Sequence, residues 1–226
     1  MNHGGKLKLN KLSFMKKHKP ADIIQDIQYF GEYGGVNPSI ADSSTFTYLA
    51  GKTMEMVFGG EREGCYLYSR HMNPSIGYLA EAIANIENTD AAHVSASGMG
   101  SISSTIMQLC KSGDHIVSSR TIYGGTYAFM KNFLPRLNIS TSFVDATNLD
   151  AVKSAICDNT KILYCETMSN PLLEISDIKK LAELAHENNL KLIVDNTFTP
   201  LIFSPAELGA DIVIHSLTKF INGASD

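Results

Sequence analysis

No uninterrupted apolar run in this 226-residue chain approaches the roughly 18 residues that suggest a membrane span, and its first residues lack the continuous apolar stretch of a secretory signal. These absences lead to the expectation of a cytoplasmic protein with no membrane partner. Cysteine is scarce: Cys65, Cys110, Cys157 and Cys165 form no Cys-x-x-Cys pair, and each sits in or beside a predicted regular element. That excludes zinc-finger spacing and a disulfide framework and leaves reduced thiols. His93 and His215 have no suitably spaced second ligand, so no metal is expected. No Gly-x-Gly-x-x-Gly follows a first strand, which removes a nicotinamide-binding reading. Residues 1–20 hold six lysines and no acidic residue, which divides the formal charge of -4 into +6 there and -10 elsewhere. Phe14 is the one aromatic among those lysines and no arginine is present, so the segment reads as a solvated terminus and nucleic acid is not an expected partner. Internal repeats and low-complexity tracts are also lacking.

What is present suits a soluble globular chain: 44% hydrophobic residues with 19% charged is enough to bury a sizeable core. From about Gly77 onward, helical periodicity alternates with short apolar runs, the pattern of an α/β protein with a mostly parallel sheet flanked by helices. Leu79, Ile83 and Ile86 mark one helix face, and Ile102, Ile106 and Leu109 another. Strands are expected at Ala92–Ser95, His115–Ser118, Thr141–Val144, Lys161–Cys165, Lys191–Val194 and Asp211–Ile214. A helix is expected over Gly125–Phe133, and one with Ile178, Leu181, Leu184 and Ala185 facing inward is expected to take Ser176 as its N-cap. Before Gly77, glycines from Gly31 to Gly64 break any long regular element. Residues 1–64 therefore read as an extended N-terminal arm, and residues 65–226 as the larger domain.

The chemistry gathers late in the chain. Ser216-Leu217-Thr218-Lys219 places a lysine beside two hydroxyls, and Asp195 stands at the C-terminal tip of the Lys191–Val194 run. This is the donor set that pyridoxal 5'-phosphate requires. The amine forms a Schiff base with the aldehyde, the hydroxyls hold phosphate oxygens, and the carboxylate keeps the pyridine nitrogen protonated so that the ring accepts electrons. Both segments follow predicted strands, where ligands gather in open parallel sheets. Ser97-Gly98-Met99-Gly100-Ser101, between a strand and a helix, could take an anion on backbone amides or be only a tight turn.

Asp195-Asn196-Thr197-Phe198-Thr199-Pro200 and Gly209 to Lys219 together resemble the signature of the Cys/Met metabolism family of pyridoxal phosphate enzymes. That resemblance implies the large domain of a fold type I transferase, with Lys219 and Asp195 catalytic and cofactor-binding. It also assigns phosphate to the backbone amides of Gly98 and Met99 and to the hydroxyls of Ser216 and Thr218, with Thr197 among the cofactor contacts. Tyr123 matches the tyrosine that stacks on the cofactor ring and handles protons at the leaving group, and Asn170 matches the residue at the ring hydroxyl. Tyr68-Ser69-Arg70-His71-Met72-Asn73-Pro74 matches a segment whose tyrosine and arginine reach the phosphate of an adjacent subunit, which implies a homo-oligomer, a dimer of dimers. The implied activity is carbon-sulfur bond cleavage in a sulfur amino acid such as methionine or cystathionine. γ-Replacement on an activated homoserine is the enzyme alternative, and a catalytically silent cofactor-binding or partner-binding fragment the non-enzymatic one.

Two positions depart from the family pattern. Gly125 stands where many methionine γ-lyases carry cysteine, and Ala224 where histidine is usual. Family members also continue into a C-terminal domain, whereas this chain stops seven residues after Lys219, so the expectation is that it is part of a longer protein.

Overall fold

The computed structural model describes residues 35–61 and 65–224. The lysine-rich segment, Gly31, Gly34 and Gly64 lie outside them. The chain divides into two compact units, residues 1–86 and 87–226, a division later than the one expected after Gly64.

In the first unit, the glycine-rich stretch is not wholly extended. Helix α1 (Gly51–Phe58) forms within it, although none of its residues is buried. Helix α2 (Pro74–Ile86) begins where Asn73 Oδ1 accepts the Ile76 amide at 2.9 Å, with proline at its first position, where the missing N–H costs nothing. Its buried residues are Ala80 and Ala84, while Leu79 stays 37% exposed. Residues 44–45 run against 68–69 through a Thr45–Tyr68 bridge and a 2.9 Å bond from the Ser69 amide to the Ser44 carbonyl.

The second unit is built on five parallel strands: β1 (His115–Ser119), β2 (Ser140–Val144), β3 (Thr160–Glu166), β4 (Lys191–Asp195) and β5 (Ile212–Ile214). They lie in the order β2-β1-β3-β4-β5. Helices α3 (Gly98–Leu109), α4 (Gly124–Ala128), α5 (Leu149–Ala155) and α6 (Ile178–Glu187) supply the covering layers. Strand alternation decides which layer each residue meets. Val117, Leu163, Cys165, Leu192 and Val194 join Val152 and the α6 residues Leu181 and Ala185 in one core. Their neighbours Ile116, Ile162, Tyr164 and Ile193 join Ile102, Ile106, Met130 and Leu134 in the other. Both faces of the central strands are thus buried, which is why β3 and β4 read as continuous apolar runs.

Three local expectations are corrected. Residues 92–95 are not a strand, because their backbone finds no ladder partner among the described residues and apolar character alone does not make a strand. The cap of α6 is Asp177, whose carboxylate accepts the Lys180 amide at 3.2 Å; Ser176 instead donates to the Glu166 carbonyl at 2.9 Å. The helix expected over Gly125–Phe133 is α4 followed by a π turn, Phe129–Phe133, and a 3-10 turn, Leu134–Leu137. Pro135 has no amide to continue an α ladder, and the chain leaves through Asn138 at φ 58°.

Candidate active site

Because all five strands are parallel, their C-terminal ends meet on one edge, and the chain leaves β1 for β2 on one side and then returns to β3 on the other. This reversal is where open α/β sheets form ligand crevices. A cavity of about 380 Å³ opens there. Ser97, Gly98 and Met99 line it from the start of α3, and Tyr123 from beyond β1. Glu166 and Asn170 enter from β3, and Asp195 and Thr197 from β4. Ser216, Thr218 and Lys219 enter from the turn after β5. Nine residues expected from the sequence thus share one cavity. Tyr68 and Arg70 belong to the first unit, where the Arg70 guanidinium lies 5.1 Å over the Tyr68 ring.

The start of α3 is shaped for an anion. Ser97 caps it by accepting the Gly100 amide at 3.0 Å, while helix geometry leaves the amides of Gly98 and Met99 without intrahelical acceptors. A side chain at position 98 would not fit: a Cβ there would stand 2.8 Å from Ser216 Cβ and 3.2 Å from Ser216 Cα. Glycine therefore lets the helix start close on the hydroxyl-bearing turn. That turn is fixed in its place by the Ser216 amide, which donates to Thr197 Oγ1 at 2.7 Å.

Asp195 is 8% exposed, and its Oδ1 accepts the Thr197 amide at 3.0 Å while Oδ2 accepts the Tyr164 hydroxyl at 3.4 Å. Burial pushes its carboxyl up from the usual range, against the opposing pull of the Thr197 bonds, the His215 charge and Tyr164. A buried carboxylate in which desolvation prevails is matched to a cationic ring nitrogen. Together with the glycine-floored anion cradle and an amine from Lys219, it fits pyridoxal phosphate.

Three residues bearing on the site were not assigned roles from the sequence. Glu166 ends β3 beside Asp195 in register and accepts the Tyr123 amide at 2.6 Å, which anchors the backbone of that tyrosine. Burial first, then the Asp195 charge, pushes its carboxyl up to about 7 against the Tyr123 and Asn170 amide bonds. An acid closing an apolar run just ahead of Asn170-Pro171 was the available signal, and it is the same signal that singled out Asp195. Glu87 and His215 form a buried pair, and nothing local predicts a contact across such a separation. Among the described residues, no group of three or more histidine, cysteine, aspartate or glutamate side chains is arranged to hold a metal ion.

Gly125 also has a local explanation. A Cβ there would stand 2.5 Å from Cε1 of Tyr123, so the half-exposed tyrosine ring lies directly over the glycine.

The chain is 49% identical to methionine gamma-lyase of Arabidopsis thaliana over 213 residues, covering 92% of this chain and 48% of that protein. It is 45% identical to cystathionine gamma-lyase of Bacillus subtilis over 168 residues, covering 74% of this chain and 44% of that protein. Among solved structures, one described as an O-acetylhomoserine (thiol)-lyase from Campylobacter jejuni superposes with a TM-score of 0.86 at 28% identity, over 93% of this chain and 52% of that one. That structure carries N'-pyridoxyl-lysine-5'-monophosphate. The chain spans about half the length of the curated relatives it matches. Residues 23–226 match the family described as Cys/Met metabolism PLP-dependent enzymes, and the chain belongs to that family.

Proposed function

We propose that this chain carries the cofactor pocket of a pyridoxal phosphate-dependent lyase that cleaves the carbon-sulfur bond of a sulfur amino acid, giving a 2-oxo acid, ammonia and a thiol. The observation that supports it most is the meeting of Lys219 and the buried Asp195 in one cavity with the Gly98–Ser216 cradle. Pyridoxal phosphate, when bound, supplies a ring that accepts the electron pair left by deprotonation at the substrate α-carbon.

Each residue then has a definite task. Lys219 Nζ would hold the cofactor and, when free, would take the substrate α-carbon proton as a positioned base. Asp195 holds the ring nitrogen in its protonated form, so its loss costs more in rate than in cofactor binding. Gly98 and Met99 amides and the Ser216 and Thr218 hydroxyls hold phosphate oxygens, Thr197 braces Asp195 and the turn, and Asn170 addresses the ring hydroxyl. Tyr123 offers a ring face to the flat pyridine and a hydroxyl at the leaving group. Arg70 brings a bidentate fork for phosphate and Tyr68 a hydroxyl, both delivered to an adjacent subunit, so the working enzyme is a homo-oligomer, a dimer of dimers. Residence in the cytoplasm fits, and no helix among the described residues is long and apolar enough to cross a membrane.

γ-Replacement is the second reading, supported by 39% identity to O-succinylhomoserine sulfhydrylase of Pseudomonas aeruginosa over 194 residues. One experiment separates the two. Full-length protein loaded with pyridoxal phosphate is given L-methionine, or O-acetylhomoserine with sulfide, and methanethiol, 2-oxobutyrate and homocysteine are assayed. Methanethiol with 2-oxobutyrate, abolished in Lys219→Ala, supports the lyase; homocysteine formation without either moves the assignment to replacement. A cofactor-loaded protein inert to both substrates, and to cystathionine, would refute a carbon-sulfur enzyme.

A further inference from the structure

His215 is the residue at which β5 passes into the turn bearing Ser216, Thr218 and Lys219. Its side chain is 3% exposed and its Nε2 lies 2.6 Å from Oε1 of Glu87, which is also 3% exposed. A carboxylate only accepts, so Nε2 carries the hydrogen. The same Glu87 oxygen accepts Asn196 Nδ2 at 3.3 Å, and the Glu87 carbonyl accepts the Ser204 hydroxyl at 2.8 Å.

Asn196 extends the network to the other strand tips. It is wholly buried and directly follows Asp195. Its amide donates to the Ile214 carbonyl at 2.8 Å, and its Oδ1 accepts the hydroxyls of Thr167 at 2.8 Å and Thr199 at 2.7 Å. One cluster therefore ties the ends of β3, β4 and β5 together immediately behind the cavity. Glu87 Oε2 and His215 Nδ1 are buried without a hydrogen-bond partner among the described residues.

This is a costly way to gain stability. Apolar residues of similar volume would serve a core at least as well, because desolvating two ionisable groups offsets much of their attraction. A buried pair of this kind does, however, restrict the backbone to one geometry, since only one arrangement satisfies Nε2, Oε1 and Asn196 together. The segment so restricted is the one that must aim an amine and two hydroxyls into the cavity.

We infer that the buried Glu87–His215 pair is a positioning element of the cofactor pocket, fixing the junction of β5 with the 216–219 turn so that Lys219, Ser216 and Thr218 meet the cofactor. The inference rests on the pyridoxal phosphate reading of the cavity. Neither residue touches the reacting atoms, so the effect falls on cofactor capture.

The test compares full-length wild type with His215→Leu, His215→Gln, Glu87→Gln and the double variant Glu87→Gln/His215→Leu. Each cofactor-free protein is melted to find its unfolding midpoint. Well below that temperature it is titrated with pyridoxal 5'-phosphate, and after borohydride the fraction of Lys219 bearing the pyridoxyl mass is read by peptide mass analysis. In folded His215→Leu the dissociation constant rises tenfold or more and trapping at Lys219 falls. His215→Gln, which keeps an N–H for the carboxylate, returns to within threefold of wild type, and the double variant is no worse than His215→Leu. Wild-type affinity and trapping in folded His215→Leu overturn the inference, as does a glutamine variant no better than leucine. If leucine unfolds the protein, Glu87→Gln decides: a threefold or larger loss of affinity supports positioning and an unchanged affinity overturns it. Wild type that captures no cofactor would overturn the pocket reading itself, and this inference with it.

Discussion

Replacing Gly98 with alanine would test whether the close approach of α3 to the lysine-bearing turn is what makes the phosphate cradle. The added methyl would lie 2.8 Å from Ser216 Cβ, 3.0 Å from its Oγ and 3.2 Å from its Cα. Carbon atoms in good contact stand about 3.5–4.0 Å apart, so helix start and turn must separate by about 1 Å. Rotating Ser216 does not relieve the contact with its Cα. Nor can the turn move alone, because the Ser216 amide is held to Thr197 Oγ1 at 2.7 Å, and the Thr197 amide to Asp195 Oδ1 at 3.0 Å. Sites tolerate about 0.5 Å of such displacement, so at least one charge-assisted phosphate bond is lost. That loss is worth about 1.5–3 kcal/mol, or roughly ten- to one-hundred-fold in the dissociation constant. The assay is titration of cofactor-free protein with pyridoxal phosphate, followed by visible absorption, with Gly124→Ala as the control, since a Cβ at Gly124 meets nothing within 4 Å. The reasoning fails if Gly98→Ala binds the cofactor as wild type does, or if both alanine variants lose affinity equally.

Further outcomes follow from the same geometry. Glu166, whose carboxyl is pushed up to about 7, holds its proton more tightly folded than unfolded, so its contribution to stability is present at low pH and lost as pH rises from about 4.5 through 7. The urea-unfolding free energy of cofactor-free wild type minus that of Glu166→Gln, taken from pH 4.5 to 8, should fall by at most about 3 kcal/mol across that window; a flat difference would refute the shift. Gly125→Cys should force the Tyr123 ring off its present seat while leaving the fold intact, because the atom it strikes belongs to a half-exposed side chain. Changed turnover at an unchanged unfolding midpoint is expected, and a crystal structure with an unmoved ring would contradict it. Leu181→Ala, in the centre of the core between α6 and the sheet, should cost about 2–5 kcal/mol by denaturant unfolding.

Much of this molecule is legible in its residues because the information is local. Strands β3 and β4 carry unbroken apolar runs because both their faces are buried, and α6 declares its inner face through Ile178, Leu181, Leu184 and Ala185. Lysine and hydroxyls follow β5 and the Asp195 carboxylate ends β4, so a parallel sheet brings them to one edge. Pairing is not local. Residues 92–95 have strand-like composition and no partner, and helix α5 carries a pattern too short to stand out before its packing against α6 is known. The choice of Asp177 over Ser176 as the α6 cap turns on which hydroxyl or carboxylate is drawn to β3.

The sequence by itself determined the alternation of strands and helices, and the donor set of Lys219, Asp195 and their hydroxyl neighbours, because periodicity and side-chain chemistry are written residue by residue. Only the tertiary structure decided that Gly98 must lack a side chain against Ser216, that Glu166 anchors Tyr123, and that Glu87 meets His215 behind the lysine turn. Each of these depends on a distance between segments far apart in the chain, and such distances exist only once the sheet has set the order of its strands.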